Sequence, residues 1–261
     1  MKHGDIKQFI ERTIKKAGDA ALELYGEVGV KYTKANAADV VTEADLRSEK
    51  IILDAIKREF PHHGIISEES GEDNAGAESL WIIDPLDGTR NFATKTPFWG
   101  VMMALVEKGE TRYGAIYIPM WKDYLYAEKD KGAYRNGERT HCSDARDLSK
   151  SFGYFDVSSR QLKVDILSRF TKIPQESAIW MTSLNCMIVP TLLIVAGSRD
   201  WIITTPVEKK IWDHAASKLL IAESGCVVTR YNGKPCDYTD VHYIGANKYL
   251  HPQPVIILQG L

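Results

Sequence analysis

The sequence predicts a mixed α/β chain in which helices come first, an antiparallel meander follows, and the second half alternates strands with helices. Three observations carry that reading. Ile6, Phe9, Ile10, Ile14, Ala17, Ala21 and Leu24 recur at helical spacing over residues 5–25. The strand-like runs Phe98–Glu107, Gly114–Pro119 and Tyr124–Glu128 are punctuated by Lys108-Gly109 and Lys131-Gly132, and Asn136-Gly137 supplies a hairpin turn. Beyond residue 150 strands and helices alternate, the pattern of an α/β layer arrangement.

The remaining elements follow in order. Residues 43–59 form a second helix with Leu46, Leu53, Ile56 and Phe60 on its apolar side, started by the cap pair Thr42 and Asp45. Gly64–Ser67 is a short strand ending in Glu68-Glu69. Leu80–Ile83 is apolar throughout, as in a strand buried on both faces. It is expected to stop at Asp84-Pro85, because proline brings no N–H to the ladder. In the second half Ser151–Phe155, Ile179–Met181 and Trp201–Thr204 read as strands and Arg160–Phe170 as a helix. Leu184–Ala196 reads as a helix bent at Pro190, and Ile211–Ser224 as a helix closed by Gly225. Cys226–Tyr231 and Tyr243–Ala246 are terminal strands. The polar stretch over 141–150 marks a seam between an antiparallel-rich half, 1–145, and an α/β half, 146–261.

A chain of 261 residues has room for one large domain or two intimate halves. The formal net charge of −2 argues against a nucleic-acid surface or a basic membrane patch. No apolar run is long enough to span a bilayer, and the N-terminus lacks the apolar core of a signal peptide. The four cysteines form no C-x-x-C pair, so free thiols in a cytoplasmic protein with a small-molecule partner are expected.

The most informative segment is Trp81–Phe92. A buried strand delivers Asp84 at its end, and a turn brings Asp87 and the Leu86 carbonyl toward the same point. These are hard oxygen donors of the kind magnesium selects. Gly88 permits close approach of a ligand to the backbone, and Thr89 opens a short helix whose N–H groups suit a phosphate. A polar turn with a capping aspartate is the plainer alternative. Taken singly, Glu68-Glu69 reads as a solvated loop, Asp213 as an acid favoured by a helix N-terminus, and Asp45 as a cap.

Together these residues resemble the inositol monophosphatase family, lithium-sensitive magnesium phosphatases related to the fructose-1,6-bisphosphatases. Four blocks match in order: Asp39–Asp45, Gly64–Ser70, Trp81–Phe92, and Trp212-Asp213-His214 running to Glu223-Ser224-Gly225. The resemblance implies a layered αβαβα sandwich, a homodimer, and hydrolysis of a small polyol or sugar phosphate. By that likeness Glu68, Asp84 and the Leu86 carbonyl hold one Mg²⁺, and Asp84, Asp87 and Asp213 a second. A third, weaker ion sits near Glu68 and Glu69. Gly88 and Thr89 amides hold the phosphate, Asp45 and Thr89 activate water, and Lys34 lies near the ions. Two departures touch substrate recognition. Met181–Ile188 replaces the family's run of small residues, and Pro206 stands where inositol-specific members carry an acid. Arg199, Lys209 and Lys210 are rim residues that could meet a second phosphate, so inositol monophosphate and fructose 1,6-bisphosphate both stay open, as does a nucleoside bisphosphate 3′-phosphatase. A non-catalytic metal- or phosphate-binding relative is the rival from another class. A haloacid-dehalogenase mechanism needs two aspartates two residues apart, whereas Asp84 and Asp87 are separated by Pro85 and Leu86.

Overall fold

The structure, a computed structural model, describes residues 3–27, 30–33, 40–157, 165–166, 168–170, 180–206 and 208–260. Helix α1 spans His3–Leu22 and α2 spans Glu43–Glu59. Between them β1 (Val30–Thr33) and β2 (Val40–Thr42) pair antiparallel, a ribbon the periodicity did not announce. The next strands are β3 (Gly64–Ser67), β4 (Gly71–Asp73), β5 (Ser79–Asp87), β6 (Gly100–Glu107), β7 (Glu110–Ile118), β8 (Asp123–Glu128), β9 (Gly132–Arg135) and β10 (Glu138–Arg139), with the short helix α3 (Thr89–Ala93) after β5. They form one sheet of order β10-β9-β8-β7-β6-β5-β3-β4, antiparallel except for the β3–β5 pair.

The second half contributes β11 (Phe152–Val157), β12 (Trp180–Thr182), helix α4 (Ile188–Val195), β13 (Trp201–Thr205), helix α5 (Ile211–Glu223), β14 (Cys226–Thr229), β15 (Tyr243–Asn247) and helix α6 (Pro252–Leu258). Residues 165–166 and 168–170 are helical too. The second sheet has the order β12-β11-β13-β15-β14, with β12, β11 and β13 mutually parallel.

Alternation along the strands sorts side chains into layers. Trp81 and Ile83 of β5 face α1 and α2, joining Phe9, Ile10, Ile14, Ile52 and Ile56. Leu80 and Ile82 face the other way, into a core built with α4 and α5 and closed by Tyr154, Ile202 and Tyr243 of the second sheet. The outer face of that sheet buries Phe155, Trp201 and Ile203 under Phe170 and Leu258. The order is therefore helix, sheet, helix, sheet, helix, the sandwich that the resemblance implied. The middle core draws on both halves of the chain. No described helix is long and apolar enough to cross a membrane.

Two elements that the sequence did announce have different bounds near the acids. Strand β5 does not stop at Asp84: it runs to Asp87 through an irregularity in which Asp84 faces Met102 and Asp87 faces Gly100. Pro85 sits in that bulge, where it need not donate to the ladder, and its carbonyl accepts the Ser48 hydroxyl at 2.6 Å. Helix α4 begins at Ile188 rather than Leu184, so Pro190 lies in its first turn, where a missing N–H costs nothing and no bend is needed.

Gly153 is tightly constrained. A β-carbon there would lie 2.0 Å from the ring of Trp201. Gly153→Ala is expected to destabilise the protein by about 3 kcal/mol or more, beyond ordinary overpacking because the clash is with a fully buried indole. Urea unfolding of the two proteins measures it.

Candidate active site

Helix α2 presents a polar stripe to three other segments. Asp45, Ser48 and Glu49 are spaced so that they share one helix face, and all three are buried. Thr42 caps the helix: its hydroxyl accepts the Ala44 N–H at 3.2 Å, while Asp45 Oδ2 accepts the Thr42 N–H at 2.8 Å and the Thr42 hydroxyl at 2.5 Å. The other oxygen, Oδ1, accepts the Thr89 hydroxyl at 2.9 Å. Asp45 is thus both the cap that its sequence position suggested and a direct partner of Thr89. Ser48 holds Pro85, and Glu49 accepts from Ser67, from the Ser70 N–H at 3.0 Å and from the Ser70 hydroxyl at 3.1 Å, fixing the turn that carries Glu68 and Glu69.

The bulge of β5 places the next group. Asp84 Oδ1 accepts the Leu86 N–H at 3.0 Å. Asp87 Oδ2 accepts the N–H groups of Met187 and Ile188, both at 2.7 Å, and so caps α4 from the opposite half of the chain. The turn continues through Gly88 at φ +85°, where a β-carbon would lie 2.5 Å from the Phe98 carbonyl oxygen, so only glycine fits. Thr89 Oγ1 then finds two acceptors, Asp45 Oδ1 and, at 3.0 Å, the Leu86 carbonyl. Asp213 enters from the first turn of α5, and Lys210 at the start of that helix donates to Glu68 Oε1 at 3.0 Å.

These acids feel one another. Burial, then repulsion from Glu68 and Asp213, pushes Asp84 well above the usual carboxylate range. Asp213 is raised by burial, Glu68 and Asp87, against a lowering by Lys210. Asp87 is pushed up to about 7 by burial, against the two α4 amides. Asp45 rises to about 6 by burial, against hydrogen bonds from Thr42 and Thr89. Among the described residues no three His, Cys, Asp or Glu side chains are already arranged to hold an ion: Glu68 leans to Lys210 and Asp87 to α4. In chemistry the set nevertheless fits a small hard cation, being made of oxygen donors whose mutual repulsion a divalent charge would relieve.

The rim residues fare differently. Lys34 lies outside the described residues. Lys209 is exposed beside Lys210. Arg199 does not reach the acids: it precedes β13 at that strand's N-terminal end, packs 5.7 Å from the Phe152 ring centroid and donates to the Ser198 carbonyl, whereas Pro206, Lys209 and Asp213 follow the strand's other end. Linear proximity to Lys209 concealed the whole length of a strand between them. Glu49 and Asp156 were not singled out from the sequence. Glu49 could have been found from its place four residues after Asp45. Asp156 lay just beyond the expected end of a strand, and burial raises it to about 6.

Comparison with known proteins bears on the family and the fold. The model of the inositol monophosphatase family matches residues 5–258. The fructose-1,6-bisphosphatase/inositol-1-monophosphatase of Thermotoga maritima is 30% identical over 254 residues, covering 97% of this chain and 96% of that protein. The Nus factor SuhB of Escherichia coli K12 is 31% identical over 226 residues, covering 85% of this chain and 84% of that protein. Among solved structures, an IMPase of Thermotoga maritima superposes with a TM-score of 0.86 at 29% identity, covering 97% of this chain and 96% of that one.

The buried Asp45 has a signature in stability. Its folded pKa of about 6 exceeds the ordinary value of 3.8. Protonated Asp45 therefore contributes stability at low pH that is lost as pH rises through about 6. Relative to wild type, Asp45→Asn should gain on the order of 2 kcal/mol between pH 4.5 and 7.5 without divalent cations, read from urea midpoints at the two pH values.

Proposed function

The chain belongs to the inositol monophosphatase family and is a phosphatase; from that premise we propose that it hydrolyses a phosphate monoester of a small polyol or sugar, with Mg²⁺ as its metal and water as the nucleophile. The observation that carries the reading is the 2.9 Å hydrogen bond from Thr89 to Asp45, set beside carboxylates that repel one another.

On this reading Glu68, Asp84 and the Leu86 carbonyl would hold one Mg²⁺, Asp84, Asp87 and Asp213 a second, and Glu68 with Glu69 a third. When bound, the metal supplies positive charge that lowers the pKa of water and draws electron density from the phosphoryl group. The protein's own part is the proton path. Thr89 has one hydroxyl proton and two acceptors, Asp45 and the Leu86 carbonyl. The Thr89 hydroxyl would pass its proton to Asp45 Oδ1 while its oxygen takes a proton from the attacking water, so that Thr89 ends as a hydroxyl and Asp45 protonated. Asp45, near pKa 6, is ionised at neutral pH and able to receive it. Backbone N–H groups of Gly88 and Thr89 would orient the phosphate.

Inositol monophosphate and fructose 1,6-bisphosphate are the leading substrates, with a nucleoside bisphosphate as the alternative within the family; Lys209 is the exposed cation available at the rim. We place the protein in the cytoplasm as a homodimer acting on a small molecule, with no nucleic-acid or membrane partner.

A panel of inositol monophosphates, fructose 1,6-bisphosphate, a nucleoside bisphosphate and glycerol phosphate, assayed with Mg²⁺ and with chelator, tests the reading. Phosphate release is expected only with Mg²⁺, and silence on the whole panel would favour a binding relative. Thr89→Ala and Asp45→Asn should each lower kcat by about 10²–10⁴. Mg²⁺ at 100 times its Kd should stabilise the wild-type fold by about 2.7 kcal/mol. The corresponding rise in melting temperature should shrink in Asp213→Asn.

A further inference from the structure

Asp156 is the fifth residue of β11 and shares a strand face with Tyr154, two residues before it. Tyr154 points into the core between the sheets. Its hydroxyl donates to the Cys186 carbonyl at 3.0 Å and accepts the Leu184 N–H at 3.2 Å, in the segment whose next amides hold Asp87. Across the sheet Asp156 is in register with Thr204, and Thr204 with Tyr243. The Tyr243 hydroxyl lies 3.4 Å from His214 Nδ1, the residue after Asp213. The row Asp156, Thr204, Tyr243 therefore crosses the carboxyl end of the parallel strands and faces the start of α5. Ligands of α/β sheets gather at that end.

Each neighbour in the row is satisfied, Thr204 by the Val241 carbonyl at 2.6 Å. Asp156 makes no hydrogen bond or ion pair among the described residues, and burial raises its carboxyl to about 6. It remains partly accessible, and the row it heads reaches through Tyr243 to His214, the residue next to Asp213, so it lies on the side of the sheet from which Asp213 enters. A desolvated carboxylate without donors is costly unless a ligand brings them. Hydroxyl groups of a carbon skeleton would do so; a second phosphate would meet like charge. Of the cations named for the rim, Lys210 is engaged by Glu68, Arg199 stands at the far end of β13, and Lys209 is solvent-exposed, where water and salt screen its charge more than that of the desolvated Asp156.

We propose that Asp156 accepts hydrogen bonds from hydroxyl groups of the substrate, so that the site selects a polyhydroxylated monophosphate over a bisphosphate. This rests on the phosphatase reading above and narrows its substrate class.

The test compares wild type with Asp156→Asn on inositol 1-phosphate, fructose 1,6-bisphosphate and p-nitrophenyl phosphate, which has no hydroxyl groups, in Mg²⁺. The KM for inositol 1-phosphate should rise by about tenfold or more, the worth of hydrogen bonds to a charged group, with kcat changed much less. The effect on p-nitrophenyl phosphate should be several-fold smaller, and discrimination against the bisphosphate should weaken. An equal loss on all three esters, or no change in KM, overturns the assignment while leaving the phosphatase reading intact. A wild-type protein silent on all three overturns both. The Mg²⁺-induced rise in melting temperature should match wild type. Its loss in Asp156→Asn would make the residue a support of the cation ligands and overturn its role in recognising substrate.

Discussion

The controlling constraint is the burial of like charges beside one another. Glu68, Asp84, Asp87 and Asp213 would separate if their backbones allowed it, and burial makes the ionised forms of the three aspartates costlier still. They are kept together by hydrogen bonds: the Leu86 amide donates to Asp84 and the α4 amides to Asp87, while Ser48 donating to the Pro85 carbonyl and Glu49 accepting from Ser67 and Ser70 hold the bulge and the Glu68 turn against α2. Lys210, three residues before Asp213, brings positive charge to Glu68 of the first half of the chain.

The two halves are consequently joined at the site as well as through the shared core. Asp87 caps a helix about a hundred residues downstream, and Lys210 reaches back to Glu68. On the other side of the sandwich the Glu223 carboxylate accepts the N–H groups of Asp130 at 2.8 Å and Gly132 at 2.7 Å, fastening the end of α5 to the β8–β9 turn. α5 is thus pinned at both ends to the first sheet's half, which fixes the direction from which Asp213 enters.

What the sequence made legible was mostly local. The Thr42–Asp45 cap, the apolar run of β5 and the Gly225 stop of α5 each depend on residues a few positions apart, and each stands where those residues put it. The errors came from partners distant in sequence. β5 passes Pro85 because β6 and Ser48 accommodate a bulge. α4 starts at Ile188 because Asp87 supplies acceptors to its first amides. Arg199 seemed to share a rim with Lys209 because spacing along the chain does not say which end of an intervening strand a residue occupies. The acids of the central block were readable from their chemistry, whereas Asp156 could be noticed only once its strand had a direction and a facing partner.

Asp45 is the cap of α2 and, on the function proposed above, also the proton acceptor, which bears on how relatives of this chain can be sorted. A descendant that lost turnover would still benefit from an acceptor side chain at this position to start α2, since the Thr42 amide and hydroxyl both donate to it. Retention of that aspartate in a homologue is therefore uninformative about whether it still turns over an ester. Thr89 has no comparable structural duty beyond its turn, so on the proposed function it is the position at which silent and working members of such a lineage would first diverge.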